Sequence, residues 1–71
     1  MTETGAIVRD RAHRMGIPMS KVAVMAGVTR TTLYRKMKNP NTFIGWELRN
    51  IFSGLRVPMA EREKIMKEVL E

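Results

Sequence analysis

The chain contains no cysteine, so neither a disulfide framework nor a thiolate metal site holds it together. Its one histidine, His13, has no second His, no Cys and no paired carboxylate at ligand spacing, and no metal site is expected. No nucleophile–base–orienter set and no phosphate-cradling glycine loop is visible, so the expectation is a protein that is not an enzyme and takes neither a cofactor nor a small-molecule ligand. No apolar run approaches the ~20 residues that a membrane-crossing helix needs, and no signal-peptide pattern opens the chain. A cytoplasmic location without membrane contact is therefore expected. The most informative absence is of negative charge. Between Arg11 and Trp46 there is no Asp or Glu, while Arg11, Arg14, Lys21, Arg30, Arg35, Lys36 and Lys38 all fall within that stretch.

Thirteen Lys and Arg against seven Asp and Glu give a formal net charge of +6, which makes a polyanionic partner plausible without specifying one. The balance is uneven. Glu47, Glu61, Glu63, Glu68 and Glu71 gather toward the end, mixed with Arg49, Arg56, Arg62, Lys64 and Lys67. A basic first two-thirds is thus joined to a near-neutral remainder, which suggests one face for a polyanion and another for something else. A chain of 71 residues reads as one small domain, burying ~60% of its unfolded surface. Without staples, its stability must come from helix packing or self-association.

Glycine and proline divide the sequence into five segments of helical type, and nothing alternates with period two. The first covers about residues 4–15, with Thr4 as cap, Val8, Ala12 and Met15 as an apolar stripe, and Gly16 as stop. The second follows Ile17-Pro18 and ends at Ala26, with Val22, Ala23 and Ala26 inward. The third covers about residues 30–37, capped by Thr29, with Leu33 and Met37 inward. Residues 38–41 form a loop. The fourth covers about residues 45–53, with Leu48, Ile51 and Phe52 toward the core, Leu55 closing over them and Gly54 as stop. The fifth begins at Pro58 or Met59 and runs to Leu70. The expected fold is all-α: a compact five-helix domain with short loops.

Segments two and three carry a recognisable spacing at about residues 19–37. Two short helices that nearly touch at their turn need a small residue on the first, and Ala23 supplies it. The turn needs a residue that accepts positive φ, and Gly27 supplies that four residues on. Val28 then drops into the core, and Leu33 packs the second helix against the first. This is a helix-turn-helix pattern set within an acid-free block.

On Val22, Ala23, Ala26, Gly27, Val28, Thr29, Arg30, Thr32, Leu33 and Tyr34, followed by the Lys-Asn-Pro exit and Phe43, Glu47, Leu48 and Ile51, the sequence resembles the phage repressor and Cro-like family of helix-turn-helix proteins. The resemblance covers roughly residues 17–55. It implies a five-helix domain, commonly a homodimer, that binds operator DNA and regulates transcription. Two positions depart from the family pattern: Met19 stands where a polar residue is often found, and Lys36 where an apolar one is frequent.

With Leu33 and Met37 inward, the third segment turns Arg30, Thr31, Tyr34, Arg35 and Lys38 outward. Arginine pairs bidentately with guanine O6 and N7 in the major groove. Arg30 and Arg35 are accordingly assigned to base reading, with Thr31 and Tyr34 at base edges, sugar or thymine methyls. Ser20, Lys21, Thr29, Lys36, Lys38, Asn39, Asn41 and Thr42 are assigned to phosphates, at the N-termini of the second and fourth segments and in the loop between the third and fourth. A single recognition helix reads too few base pairs to find one site in a genome, so a homodimer on a palindromic duplex is expected. Residues 46–71 are the proposed dimerisation region, with Trp46, Met59, Ile65, Met66, Val69 and Leu70 as interface candidates. Two other readings share the composition. One is a protein-interaction module of antirepressor or antitoxin type; the other is a non-specific architectural or recombination-directionality DNA-binding protein.

Overall fold

Five α-helices and one 3₁₀ turn follow one another in a computed structural model that describes residues 2–71. They are α1 (Glu3–Arg14), α2 (Met19–Ala26), α3 (Arg30–Lys38), the 3₁₀ turn (Pro40–Thr42), α4 (Gly45–Gly54) and α5 (Met59–Val69). No strand occurs among the described residues, and no helix there is long and apolar enough to cross a membrane. The radius of gyration is 10.5 Å. The all-helical expectation and all five segments are borne out.

The cap of α1 differs from expectation. Thr2, not Thr4, closes the helix: its Oγ1 accepts from the Gly5 N–H at 3.0 Å and also donates to the Met37 carbonyl at the far end of α3. Two threonines of equal capping chemistry stand two residues apart, and burial separates them, because Thr4 lies fully inside the fold. The same end of α1 receives a second acceptor from the opposite end of the chain. The Glu68 carboxylate of α5 accepts from the Thr4 N–H at 2.7 Å and the Glu3 N–H at 3.2 Å. A carboxylate at a helix N-terminus satisfies unpaired donors and complements the helix dipole.

Helix α2 sits centrally, packed on α1, α3 and α4. Val22, Ala23 and Ala26 are all buried on its inner side. It ends at Gly27, in the left-handed region with φ 71°, and the Val28 N–H bonds back to the Ala23 carbonyl at 3.0 Å. The ring of Trp46 lies directly over this turn: a Cβ on Gly27 would come 2.9 Å from Trp46 Cη2. Gly27 is thus required twice, for its backbone conformation and for the closeness of the indole. Helix α3 then starts from Thr29, whose Oγ1 accepts from the Thr32 N–H at 3.2 Å.

Gly54 does not stop α4, as the sequence suggested. It belongs to the last helical turn, and the left-handed residue after it is Arg56, with φ 50°. Gly54 answers a packing need instead, since a Cβ there would meet Met25 Sδ of α2 at 2.5 Å. The Arg11 guanidinium holds the corner that follows. Its Nε and Nη2 donate to the Leu55 carbonyl at 3.2 and 3.1 Å, and Nη2 donates to the Arg56 carbonyl at 2.9 Å. Leu33, Ile51, Leu55, Ile65, Val8, Val22 and Val57 form the fully buried centre.

Partial burial alone would raise the Glu68 carboxyl, but the hydrogen bonds from Thr4 and Glu3 outweigh it and hold the group below its ordinary value of 4.5. A carboxyl whose pKa is lowered by folding stabilises the fold above its unfolded pKa. That contribution is lost as pH falls through the folded value. Glu68→Gln is expected to cost roughly 1 kcal/mol at pH 7. Thermal melts of the variant and the parent should converge as pH falls through the lowered folded value of the carboxyl.

Candidate nucleic-acid interface

Helix α3 has nine residues and a plain division of labour. Leu33 and Met37, one turn apart, are buried against the core. This anchoring turns Arg30, Thr31, Arg35 and Lys38 to the exposed side. Tyr34 is half-buried and packs against the edge of the core. Neither α2 nor α3 contains an acid, so no neighbour within these two helices neutralises the exposed guanidinium groups.

Tyr34 is shared by two of them. The Arg30 guanidinium lies 5.4 Å from its ring centroid, with Nη2 3.4 Å from the phenolic oxygen. The Arg9 guanidinium of α1 lies 5.1 Å from the same centroid. Both distances fall in the range of cation–π attraction. Arg9 was not among the sequence candidates. Its charge is formally cancelled by the adjacent Asp10, but Asp10 pairs with Arg14 at 3.0 Å along the helix. An i,i+4 partner for Asp10 was the one available signal that Arg9 stood apart.

Of the residues assigned to phosphate, Ser20 and Lys21 are exposed at the start of α2. Pro18 caps that helix without a side-chain acceptor, so its first donors keep their capacity. Lys38 and Asn41 are also exposed, as is Thr29, whose hydroxyl is committed to Thr32 as the cap of α3. Asn39 and Thr42 are exposed as well but partly spent on local bonds. Asn39 Nδ2 donates to the Arg35 carbonyl at 3.3 Å, and Thr42 Oγ1 donates to the Asn39 carbonyl at 2.7 Å.

Lys36 must be removed from the set. Its Nζ lies 3.0 Å from Glu47 Oε1 and donates to the Thr42 carbonyl at 2.8 Å. Its side chain is 17% exposed and that of Glu47 4%. Glu47 in turn accepts from the Ile44 N–H at 2.9 Å, so one carboxylate joins α3, the loop and the start of α4. The position where the family pattern has an apolar residue is filled by a lysine whose Nζ lies 5.9 Å from the Phe43 ring centroid. A second correction follows. The N-terminus of α4 was expected to offer a vacant anion site, but it already holds the protein's own carboxylate.

The dimer candidates divide. Ile65 is fully buried in the core and has no surface to offer an interface. Phe52, expected toward the core, and Val57 are buried as well, and Val69 is half-buried against the core. Along α5 the apolar residues are close enough in register that sequence alone does not separate the inward from the outward ones. Met59, Met66 and Leu70 remain exposed, Leu70 by 78%. Trp46 does two things at once: it covers Gly27 and keeps 45% of its surface in solvent. Between α4 and α5 lies a groove of about 310 Å³ lined by Gly45, Leu48, Arg49, Phe52, Ser53, Arg62 and Met66. Among the described residues no three His, Cys, Asp or Glu side chains are grouped as a metal would require.

No family model, curated protein or solved structure matches the chain.

Removing one member of a buried ion pair strands the other. Lys36→Ala is expected to lower stability by about 2–3 kcal/mol, and Lys36→Leu combined with Glu47→Gln by clearly less, when measured by denaturant titration. The double substitution, which removes both charges of the pair, should leave the salt dependence of any polyanion binding unchanged, since together they contribute no net charge.

Proposed function

We propose that this chain is a sequence-specific double-stranded DNA-binding regulator, a helix-turn-helix domain of the phage repressor and Cro-like type that acts by occupying an operator. The observation that carries the reading is the outward face of α3. Leu33 and Met37 fix the helix to the core, while Arg30, Thr31, Arg35 and Lys38 stand exposed on a helix pair without one acid. Helix α2 crosses behind α3, and its first turn, with Ser20 and Lys21, suits a backbone phosphate. A helix so presented fits the major groove, where Arg30 and Arg35 pair with guanines and Thr31 meets a base edge or a thymine methyl. Lys21, Lys38 and Asn41 hold the backbone on either side.

Self-association belongs to the same reading. Trp46, Met59, Met66 and Leu70 are exposed on or beside α4 and α5, and the last three lie beyond the basic stretch in a segment that mixes both signs of charge. A symmetric pairing there brings two α3 helices to successive turns of the duplex, ~34 Å apart. With six to eight phosphates neutralised per dimer, the log–log slope of affinity against salt is near −5 to −7, by order of magnitude. The same exposed group would serve a different protein partner in the antirepressor or antitoxin reading. The acid-free α3 face favours DNA.

Selection of the purified protein on a random duplex library at about 0.15 M salt is expected to yield a palindromic motif with half-sites about one turn apart. On that motif, Arg30→Ala and Arg35→Ala should each cost ~1–3 kcal/mol and relax preference at one position per half-site. Duplex retained without a motif would favour the architectural reading, and no retained duplex the protein-partner reading.

A further inference from the structure

A small hollow of about 160 Å³ opens between α1 and α3, beside the face just described. Thr2, Gly5, Arg9, Tyr34, Met37 and Lys38 line it. Two cations, Arg9 and Lys38, stand at its walls, and no carboxylate lines it. Of the acids at this end of the fold, Asp10 pairs with Arg14, Glu68 is occupied by the N–H groups of Glu3 and Thr4, and Glu3 is exposed beside Thr2 without lining the hollow. The floor is the Tyr34 ring, which carries Arg9 at 5.1 Å and Arg30 at 5.4 Å. Two guanidinium groups on one ring repel each other, and the ring only partly compensates. An anion between Arg9 and Lys38, the two cations that line the hollow, offsets the positive charge gathered there. Thr2 takes no part, because its hydroxyl is committed to Gly5 and Met37.

We propose that Arg9 and Lys38 grip one phosphate of the DNA backbone at this hollow, extending the interface from α3 onto α1. Tyr34 acts as the positioning residue that orders Arg9 for the phosphate and Arg30 for the bases. The inference rests on the DNA-binding reading and adds to it a contact from a helix outside the two-helix unit. It also gives Tyr34 a different task from direct base reading, consistent with a ring that is half-buried and already covered by two side chains. A phosphate contact carries no sequence information, so it has its own signature: it weakens all duplexes alike and lowers the salt slope.

The test is fluorescence anisotropy of the full chain on the selected duplex and on a scrambled one, across a salt series. Arg9→Gln, an exposed substitution, should weaken both duplexes by the same factor and reduce the slope by about 0.9 per bound protomer. Arg9→Lys should restore most of the slope. In a Tyr34→Leu background, Arg9→Gln should have a smaller effect than in the parent, as for coupled residues. An unchanged slope for Arg9→Gln, with the parent binding steeply, overturns the inference and leaves the DNA reading standing. Strict additivity of the two substitutions overturns the positioning role of Tyr34. A parent protein that binds neither duplex overturns the DNA reading, and this inference falls with it.

Discussion

The structure depends on how closely α2 is gripped. Its fully buried residues, Val22, Ala23 and Ala26, are no larger than valine, and at two points the packing is as close as glycine permits. Trp46 lies over Gly27, and Met25 reaches Gly54 of α4. These contacts set how near α4 can approach and how steeply α3 can leave the turn. The direction of α3 and the exposure of its basic face are consequences of that grip. With three small residues and two glycines, a chain without disulfides or metal builds a rigid corner from packing alone.

Charge is arranged to suit the same corner. The acid-free stretch is not simply unbalanced: one of its lysines, Lys36, is answered from beneath by Glu47, the first acid that follows it. Arg11 is spent on the carbonyls of Leu55 and Arg56. What remains exposed is a narrower set than the composition implies, centred on Arg30, Arg35, Lys38 and Lys21, with Arg9 joined to it through Tyr34. Internal ion pairing therefore selects which cations face outward. A bound polyanion would meet a defined group of side chains and not a diffuse positive field.

The helices and the division of α3 into inward and outward residues were legible because both follow from local periodicity: Leu33 and Met37 are one turn apart, and Arg30, Thr31 and Arg35 fall on the other side. Gly27 was legible because few residues accept its backbone. Features set by tertiary contact were not. Lys36 reads as a solvated cation until α4 brings Glu47 beneath it. Ile65 and Met66 are adjacent apolar residues on α5, and only the packed fold shows that the first is core and the second surface. Arg9 joins the α3 face through a ring 25 positions away in sequence. Thr2 displaces Thr4 as cap because burial separates two chemically equivalent neighbours, and Arg56 holds the left-handed position while Gly54 stays inside the helix, packed on Met25.

The claim that the acid-free corner around α3 is the binding surface is tested most directly by amide and side-chain NMR shifts on titration with a duplex. The account predicts the largest shifts at Arg9, Lys21, Arg30, Thr31, Arg35 and Lys38, with Lys36 and Glu47 little changed. Shifts concentrated instead on Arg49, Arg62 and Met66 in the groove between α4 and α5, or none at millimolar duplex, would contradict it.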